Sequence, residues 1–333
     1  MNKKLKETAK IVFFFLLALA FIWWFVNKLS PQELKEMMDS FKNASYFWFI
    51  LAVVINTFSH YIRALRWRLL IKPLGYNIGR FSTFFAIMSC YLTNLAVPRL
   101  GEIVRTTMVS SKNKIPFDKT FGTVITERAI DTLLFGLIFI VAFFCEYDIF
   151  KDYILSNLDI DTAKYTKLLV IACIGVALIC ILVLVFRKAV SKNSFFGKIK
   201  DFFVGILQGM KTVFQLEKPL LFIFYSVFIW FLWIFGTWVL FKAMQDTFNL
   251  NFMQALTVTV LGAIGPMITP GGIGIYPAIF SKVLEVYSIK KTVGYALGWL
   301  SWLVSQVSPI LLGPCGFIIF AKRKKDKNYD TGD

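Results

Sequence analysis

LLFIFYSVFIWFLWIFGTWVLF, residues 220–241, contains no charged side chain. As an α-helix its 22 residues would reach about 33 Å at 1.5 Å per residue, enough to cross roughly 30 Å of hydrocarbon. Seven more apolar segments accompany it: 11–27, 45–62, 81–97, 120–145, 168–186, 251–269 and 293–320. Across the 333 residues 57% are hydrophobic and 17% are charged, with a mean hydropathy of +0.65. A soluble domain carries about 25% charged residues, so this chain has too few to cover itself in water. The reading is an all-α, polytopic integral membrane protein. It excludes a soluble enzyme, a secreted disulfide scaffold and a disordered binder.

The formal charge is +17, from 37 Lys and Arg against 20 Asp and Glu. These bases sit in short loops beside apolar segments rather than on one soluble face, so they point to anionic lipid and not to nucleic acid. Segment 11–27 follows Lys3, Lys4, Lys6 and Lys10 and ends in Trp23-Trp24-Phe25 without a small-residue cleavage site, as an uncleaved signal anchor does. Loop 28–44 has three bases and three acids, whereas loop 63–80 has five bases and no acid. Loop 146–167 has five acids and three bases, loop 187–219 has seven bases and two acids, and Lys322, Arg323, Lys324, Lys325 and Lys327 close the chain. The Lys/Arg bias places both termini in the cytoplasm. It divides the chain into one transmembrane domain, 1–320, and a basic cytoplasmic tail, 321–333.

Simple alternation fails at 81–119, which leaves the basic side yet is followed by Arg99, Arg105, Lys112, Lys114 and Lys119. A re-entrant hairpin resolves this: residues 81–97 dip in, the chain breaks at Pro98-Arg99-Leu100-Gly101, and 102–111 return. The same count over 251–286 requires a second hairpin, entering from outside and breaking at Thr269-Pro270-Gly271-Gly272-Ile273-Gly274. Six full transmembrane helices and two oppositely oriented re-entrant hairpins result. Interrupted apolar segments in opposed positions are the sequence pattern of an inverted-repeat transporter core. Lys290 and Lys291 fall on the outer side in this scheme.

Two amphipathic stretches lie between the spans. Ser30-Pro31-Gln32-Glu33 is a capping box with Pro at the first helical position, and Leu34, Met37, Met38 and Phe41 follow at helical spacing, so the pattern predicts a helix over 31–42. Phe195, Ile199, Phe202, Phe203, Ile206, Met210, Val213 and Phe214 form a second stripe, read either as an in-plane helix on the inner leaflet or as a packed linker helix.

Charges inside apolar segments are expensive, roughly 2.5–3.5 kcal/mol each at the bilayer centre. Glu127 and Asp131 share a face of segment 120–145, and Arg128 lies about 100° away on an ideal helix. Arg99, Glu102 and Arg105 share a face, or its approach, in the preceding hairpin. Two readings stand side by side: a buried ion network that pins the hairpin, or a hydrophilic cavity whose Arg side chains hold an anionic headgroup by forked contacts. Arg63, Arg66 and Arg68 flank Trp67 as a snorkelling anchor at the inner end of the second span, with Arg66 also a candidate for headgroup contact. The Pro270–Gly274 break opens a half-helix whose N-terminus can attract an anion or simply turn.

The remaining chemistry is sparse. Cys90, Cys145, Cys173, Cys180 and Cys315 include no C-x-x-C pair and read as small buried hydrophobes, and His60 is the only histidine, which leaves no His-based dyad or zinc site. There is no G-x-S-x-G, H-E-x-x-H or P-loop sequence. The expectation is a protein without cofactor or metal, and not an enzyme.

Four motifs over about residues 60–290 resemble a known family: Arg63-x-x-Arg66-Trp67-x-Leu69-Leu70, Asn94-x-x-x-Pro98-x-x-Gly101-Glu102-x-x-Arg105, Glu127-Arg128-x-x-Asp131, and Pro270-Gly271-Gly272-Ile273-Gly274. In this order the set resembles the flippase-like integral membrane family typified by the transmembrane region of lysylphosphatidylglycerol synthase. The resemblance implies a bacterial inner-membrane protein that moves lipid between leaflets. Its cargo would be an anionic phospholipid, an aminoacyl-phospholipid or a polyprenyl phosphate. It also implies that Arg66, Asn94, Arg99, Glu102, Arg105, Glu127, Arg128 and Asp131 line the lipid site. Pro98, Gly101, Pro270, Gly271, Gly272 and Gly274 would serve as hinges. Pro277 stands where the family usually has a glutamate, and the soluble synthase domain of the bifunctional relatives has no counterpart after Phe320, so aminoacylation is not expected. The rival readings are a membrane-embedded lipid-modifying enzyme and an accessory subunit of a lipid-synthesis enzyme.

Overall fold

The computed structural model describes residues 30–149, 151 and 212–325. The expected segments 11–27 and 168–186, and nearly all of the stripe at 195–214, lie outside them. Among the described residues every regular element is helical. The chain divides into two compact units, Met1–Val124 with Leu216–Asp333, and Ile125–Gln215.

Helix α1, Pro31–Lys42, begins as the sequence predicts. The Ser30 hydroxyl accepts the Glu33 amide at 3.2 Å, and the Glu33 carboxylate accepts the Ser30 amide at 2.7 Å. The Ser30 amide and hydroxyl hold the exposed Glu33 carboxyl below its usual pKa. Helix α2 follows at Tyr46–Ile71. Here the reading is corrected: the expected loop from residue 63 is helix to Ile71, then a 3-10 turn at Lys72–Leu74. Arg63 and Arg66 are not snorkelling anchors, because both are buried, at 3% and 0% exposure. Arg68 alone behaves as a boundary residue, its Nε donating to Ile78 O at 2.7 Å and Nη2 to Asn77 Oδ1 at 3.2 Å.

Helices α3, Arg80–Ala96, and α4, Leu100–Asn113, form the first helix–break–helix hairpin. Val97 is extended, as a residue before proline prefers, and Arg99 adopts a left-handed φ of 66°. The antiparallel arms meet closely. A Cβ on Gly101 would lie 2.0 Å from Cys90 O, and at the far end Lys112 Nζ donates to Ser82 Oγ at 2.6 Å. Helix α5, Phe117–Cys145, crosses the unit boundary. Within the second unit, Phe135 and Phe139 pair one turn apart on it, and Phe143 packs edge-on against Phe144 and Tyr147.

In the larger unit, α6 (Pro219–Phe241) packs along α2, and Ile62, Ile229 and Leu232 form the apolar contact between them. The second broken segment has more joints than the sequence suggests. It comprises α7 (Phe252–Gly262), α8 (Gly265–Ile268), a 3-10 turn at Pro270–Gly272 and α9 (Ile275–Val286). The extra joint before α8 arises where Gly265 presses on Tyr276, leaving 2.9 Å between a would-be Cβ and Tyr276 Cα. Helix α10, Lys291–Lys325, runs beside both hairpins, against α9 and against α3. Its glycines set the spacing: Gly298 lies against Pro277, and Gly316 against Ser89 and Phe85. Small residues that let backbones approach are the usual device for helix association in lipid.

Among the described residues four helices are long and apolar enough to cross a membrane: Tyr46–Leu74, Phe117–Cys145, Pro219–Phe241 and Lys291–Ala321. The arms of the hairpins are shorter. Together they make a multi-pass membrane protein.

A Cβ at Gly316 would sit 2.2 Å from Ser89 Oγ and 2.5 Å from Phe85 O, whereas one at Gly136 would meet nothing within 4 Å. Gly316→Ala therefore lowers the stability of the detergent-solubilised protein by about 1–3 kcal/mol, seen as a lower Tm, while Gly136→Ala leaves Tm unchanged or slightly raised.

Candidate functional site

The inner-facing residues of α2 follow from its sequence. Ser59, His60, Arg63, Arg66 and Trp67 fall three or four apart along adjoining faces and are all buried. Three guanidinium groups of the larger unit are packed on aromatic rings. Arg63 lies 5.2 Å from the Trp233 ring of α6 and 5.9 Å from the Tyr91 ring of α3. Arg66 lies 5.6 Å from Phe222, and its Nη1 donates to Ser226 Oγ at 3.2 Å. Arg105, on α4 and 1% exposed, lies 4.7 Å from the Trp67 ring. The two tryptophans are themselves tied down: Trp67 Nε1 donates to Thr123 Oγ1, and Trp233 Nε1 to Ser59 Oγ, each at 2.9 Å.

Stacking engages the face of a guanidinium, while its N–H donors lie in the plane. The in-plane fork of a guanidinium suits carboxylate and phosphate oxygens. Among the described residues, no group of His, Cys, Asp and Glu has metal-site geometry.

The first hairpin places its polar residues at the break. Asn94 Oδ1 accepts the Gly101 amide at 2.8 Å, satisfying an N-terminal donor of α4, and Asn94 Nδ2 donates to Glu102 Oε2 at 3.3 Å. Arg99 is exposed at the cap of α4. The tip of this hairpin reaches the second broken segment. Gly271, at φ 60°, approaches Leu95 so closely that a Cβ would be 2.6 Å from Leu95 Cδ2. Trp302 of α10 donates to Gly271 O at 2.8 Å. Gly272 and Gly274 are also left-handed, at 75° and 77°, so this turn needs glycine at each position.

The sequence-predicted residues therefore fall into separate groups. Asn94, Pro98, Gly101 and Glu102 cluster at the first break, Gly271 meets its tip, and Arg66 and Arg105 contact different aromatic partners within the buried core. In the second unit Glu127 is buried, Asp131 half-buried and Arg128 exposed, the separation that their helical spacing predicts. The sequence reading missed Tyr91, Trp233, Trp302 and the burial of His60. The signal for His60 was present: Asn56, His60, Arg63 and Trp67 recur every three or four residues through an apolar helix. A further polar place lies at the other end of α2. It is a cavity of about 340 Å³ bordered by Glu36, Asp39, Asp246 and Lys290.

Comparison with known proteins supports the motif reading. The model of the lysylphosphatidylglycerol synthase TM region matches residues 10–313. A UPF0104 membrane protein of Methanocaldococcus jannaschii is 24% identical over 337 residues, covering 97% of each chain. A UPF0104 membrane protein of Pyrococcus horikoshii is 24% identical over 343 residues, covering 96% of this chain and 98% of its own. No solved structure matches.

Removing the Asn94 amide deprives the Gly101 amide of its acceptor. Asn94→Ala costs about 0.5–2 kcal/mol, and hydrogen exchange measured by mass spectrometry rises over 97–103 while α6 is unaffected.

Proposed function

The chain belongs to the family of the lysylphosphatidylglycerol synthase transmembrane region, and on that premise we propose that it carries an anionic lipid headgroup between the two leaflets of the inner membrane. The observation that carries this reading is the set of buried guanidinium groups, Arg63, Arg66 and Arg105, held on aromatic faces beside a broken hairpin. A lipid headgroup crossing hydrocarbon loses its hydration, and fixed charge-assisted donors replace it.

In this reading α3–α4 and α7–α9 are re-entrant hairpins of opposite orientation within six full spans, and both termini are cytoplasmic. Broken backbone at membrane depth is tolerated where protein or a wet path surrounds it, and the two breaks meet where Gly271 approaches Leu95. Arg66 and Arg105 hold phosphate, Asn94 and Glu102 keep the hairpin tip in register, and Arg99 meets headgroups at the entrance. Glu127 and Asp131, one turn apart on α5, serve a cationic group on an aminoacyl headgroup. The glycines at 271, 272 and 274 allow the second tip to move. The lipid is an anionic phospholipid, its aminoacyl derivative or a polyprenyl phosphate.

The test is headgroup-labelled lipid movement in proteoliposomes, with phosphatidylglycerol, its lysyl derivative and a polyprenyl phosphate as cargo. Wild type moves at least one cargo, and Arg105→Ala slows it about tenfold or more, a loss of about 1.4 kcal/mol. Arg105→Lys keeps the charge but loses the fork and stays slow. Asp131→Asn impairs only the lysyl lipid. No movement of any cargo by protein of normal Tm overturns the reading. Chemical conversion of the labelled lipid would replace it with the lipid-modifying enzyme.

A further inference from the structure

Helix α6 carries a second regular feature that the arginine core does not use. Phe224, Phe228, Phe231, Phe235 and Trp238 follow one another at intervals of four, three, four and three, and Lys242, at the C-cap, comes after four more. At 100° per residue they all lie about 160–240° around the helix from Phe222. That is the side away from Phe222, Ile229 and Trp233, which face α2 and its arginines.

Along this line the rings touch in succession. Phe224 stacks on Phe228 at 5.5 Å between centroids, Phe228 on Phe231 at 6.1 Å and Phe231 on Phe235 at 5.7 Å, with interplanar angles of 11°, 11° and 9°. Phe235 then meets Trp238 at 5.8 Å. Phe224 and Phe231 are exposed. From Phe224 to Trp238 the ladder is about 21 Å long, more than the ~15 Å that half the hydrocarbon core takes.

Its end is charged. Lys242 Nζ lies 5.2 Å from the Trp238 ring and 4.7 Å from the Phe248 ring, and it donates to Phe248 O. An ammonium has three donors, and among the described residues Lys242 has no carboxylate partner. Asp246, four residues on, borders the polar cavity beside α1 instead. A cation with donors to spare closes an exposed strip of stacked rings.

Two properties of the strip decide what covers it. Helices that pack on one another in lipid do so through small residues, and this line has none. A second copy inserted in the same sense would meet it across a two-fold axis along the membrane normal, which sets Lys242 against Lys242. An anionic lipid meets neither obstacle. Its phosphate takes the remaining donors of the ammonium, and its chain needs only a preformed apolar surface. The rings provide one, because aromatic side chains have few torsions and these brace one another.

We propose that this strip binds one anionic glycerophospholipid, its phosphate on Lys242 and one acyl chain along Trp238, Phe235, Phe231 and Phe228. The site is separate from the buried arginines, and a lipid held there need not cross the membrane. The inference therefore stands or falls independently of the transport reading.

The test uses the full chain in phosphatidylcholine nanodiscs with a trace of phosphatidylglycerol that carries a photoactivatable diazirine in one acyl chain. Labelled peptides are mapped by mass spectrometry, and the exposed face of α5 at Leu137, Ile140 and Phe144 serves as the reference for chance contact. In wild type the label on 224–238 exceeds that on 137–144 about tenfold. Unlabelled phosphatidylglycerol displaces it, inorganic phosphate does not, and the same diazirine on phosphatidylcholine labels the two faces alike. Lys242→Gln lowers the label on 224–238 to the reference level, whereas Lys242→Arg retains it. Lys72→Gln, which removes a lysine already paired with Glu217, leaves it unchanged.

Equal labelling of the two faces by the phosphatidylglycerol probe overturns the proposal, as does the same preference shown by the phosphatidylcholine probe. So do labelling that survives Lys242→Gln and displacement by inorganic phosphate. A wild-type dimer that excludes the label from 224–238 also overturns it, since a second copy then covers the strip.

Discussion

Burying a guanidinium in a membrane helix is the constraint on which the core of the larger unit depends. Arg63, Arg66 and Arg105 are all buried, and hydrocarbon offers a guanidinium nothing. Each lies against an aromatic ring supplied by a different helix: Trp233 and Phe222 from α6, Tyr91 from α3 and Trp67 from α2. Those contacts determine which helices must be neighbours. Helix α2 pairs with α6 because Arg63 and Arg66 reach the rings of that helix, and α4 folds back toward α2 because Arg105 reaches Trp67. The hydroxyls of Ser226, Ser59 and Thr123 then hold a guanidinium and two indoles in place. Polar residues of this kind hold helices together where the hydrophobic effect does not distinguish lipid from leucine.

A second constraint comes from backbone. Each hairpin interrupts its helix, and the freed amide and carbonyl groups need partners inside the protein. Asn94 serves the Gly101 amide, and Trp302 serves the Gly271 carbonyl. Helix α10 lies close enough to provide such partners because its glycines allow contact with α9 at one level and α3 at another. The two breaks thereby come to face each other, Leu95 against Gly271, in a chain where they are some 175 residues apart.

Much of this was legible in the residues. Ser30 with Glu33 announced α1 to the residue, because a capping box depends only on local geometry. The uncharged run at 220–241 and the Pro98 and Pro270–Gly274 breaks came through for the same reason. The C-terminal end of α2 did not. Arg63 and Arg66 look like membrane-surface anchors when only their neighbours in sequence are considered, and the helix instead continues through them to Ile71. The rings that make burial tolerable lie some 30 residues on, in α3, and some 160 to 170 residues on, in α6. The joint before α8 was missed likewise, since it follows from contact between Gly265 and Tyr276.

By itself, then, the sequence determined that this is a helical, multi-pass membrane protein, and the places where its helices break. Each of these follows from composition, length or a turn that no other residue can make. Which charges are buried, which rings cover them, and how the two breaks meet were decided only by the tertiary structure. A charge in an apolar helix states a cost, but its partner is a matter of packing between segments far apart in the chain. His60 shows the difference most plainly. As a letter in the sequence it is a lone histidine without a catalytic partner. In the fold it is a buried ring against Tyr91, with neither nitrogen hydrogen-bonded among the described residues.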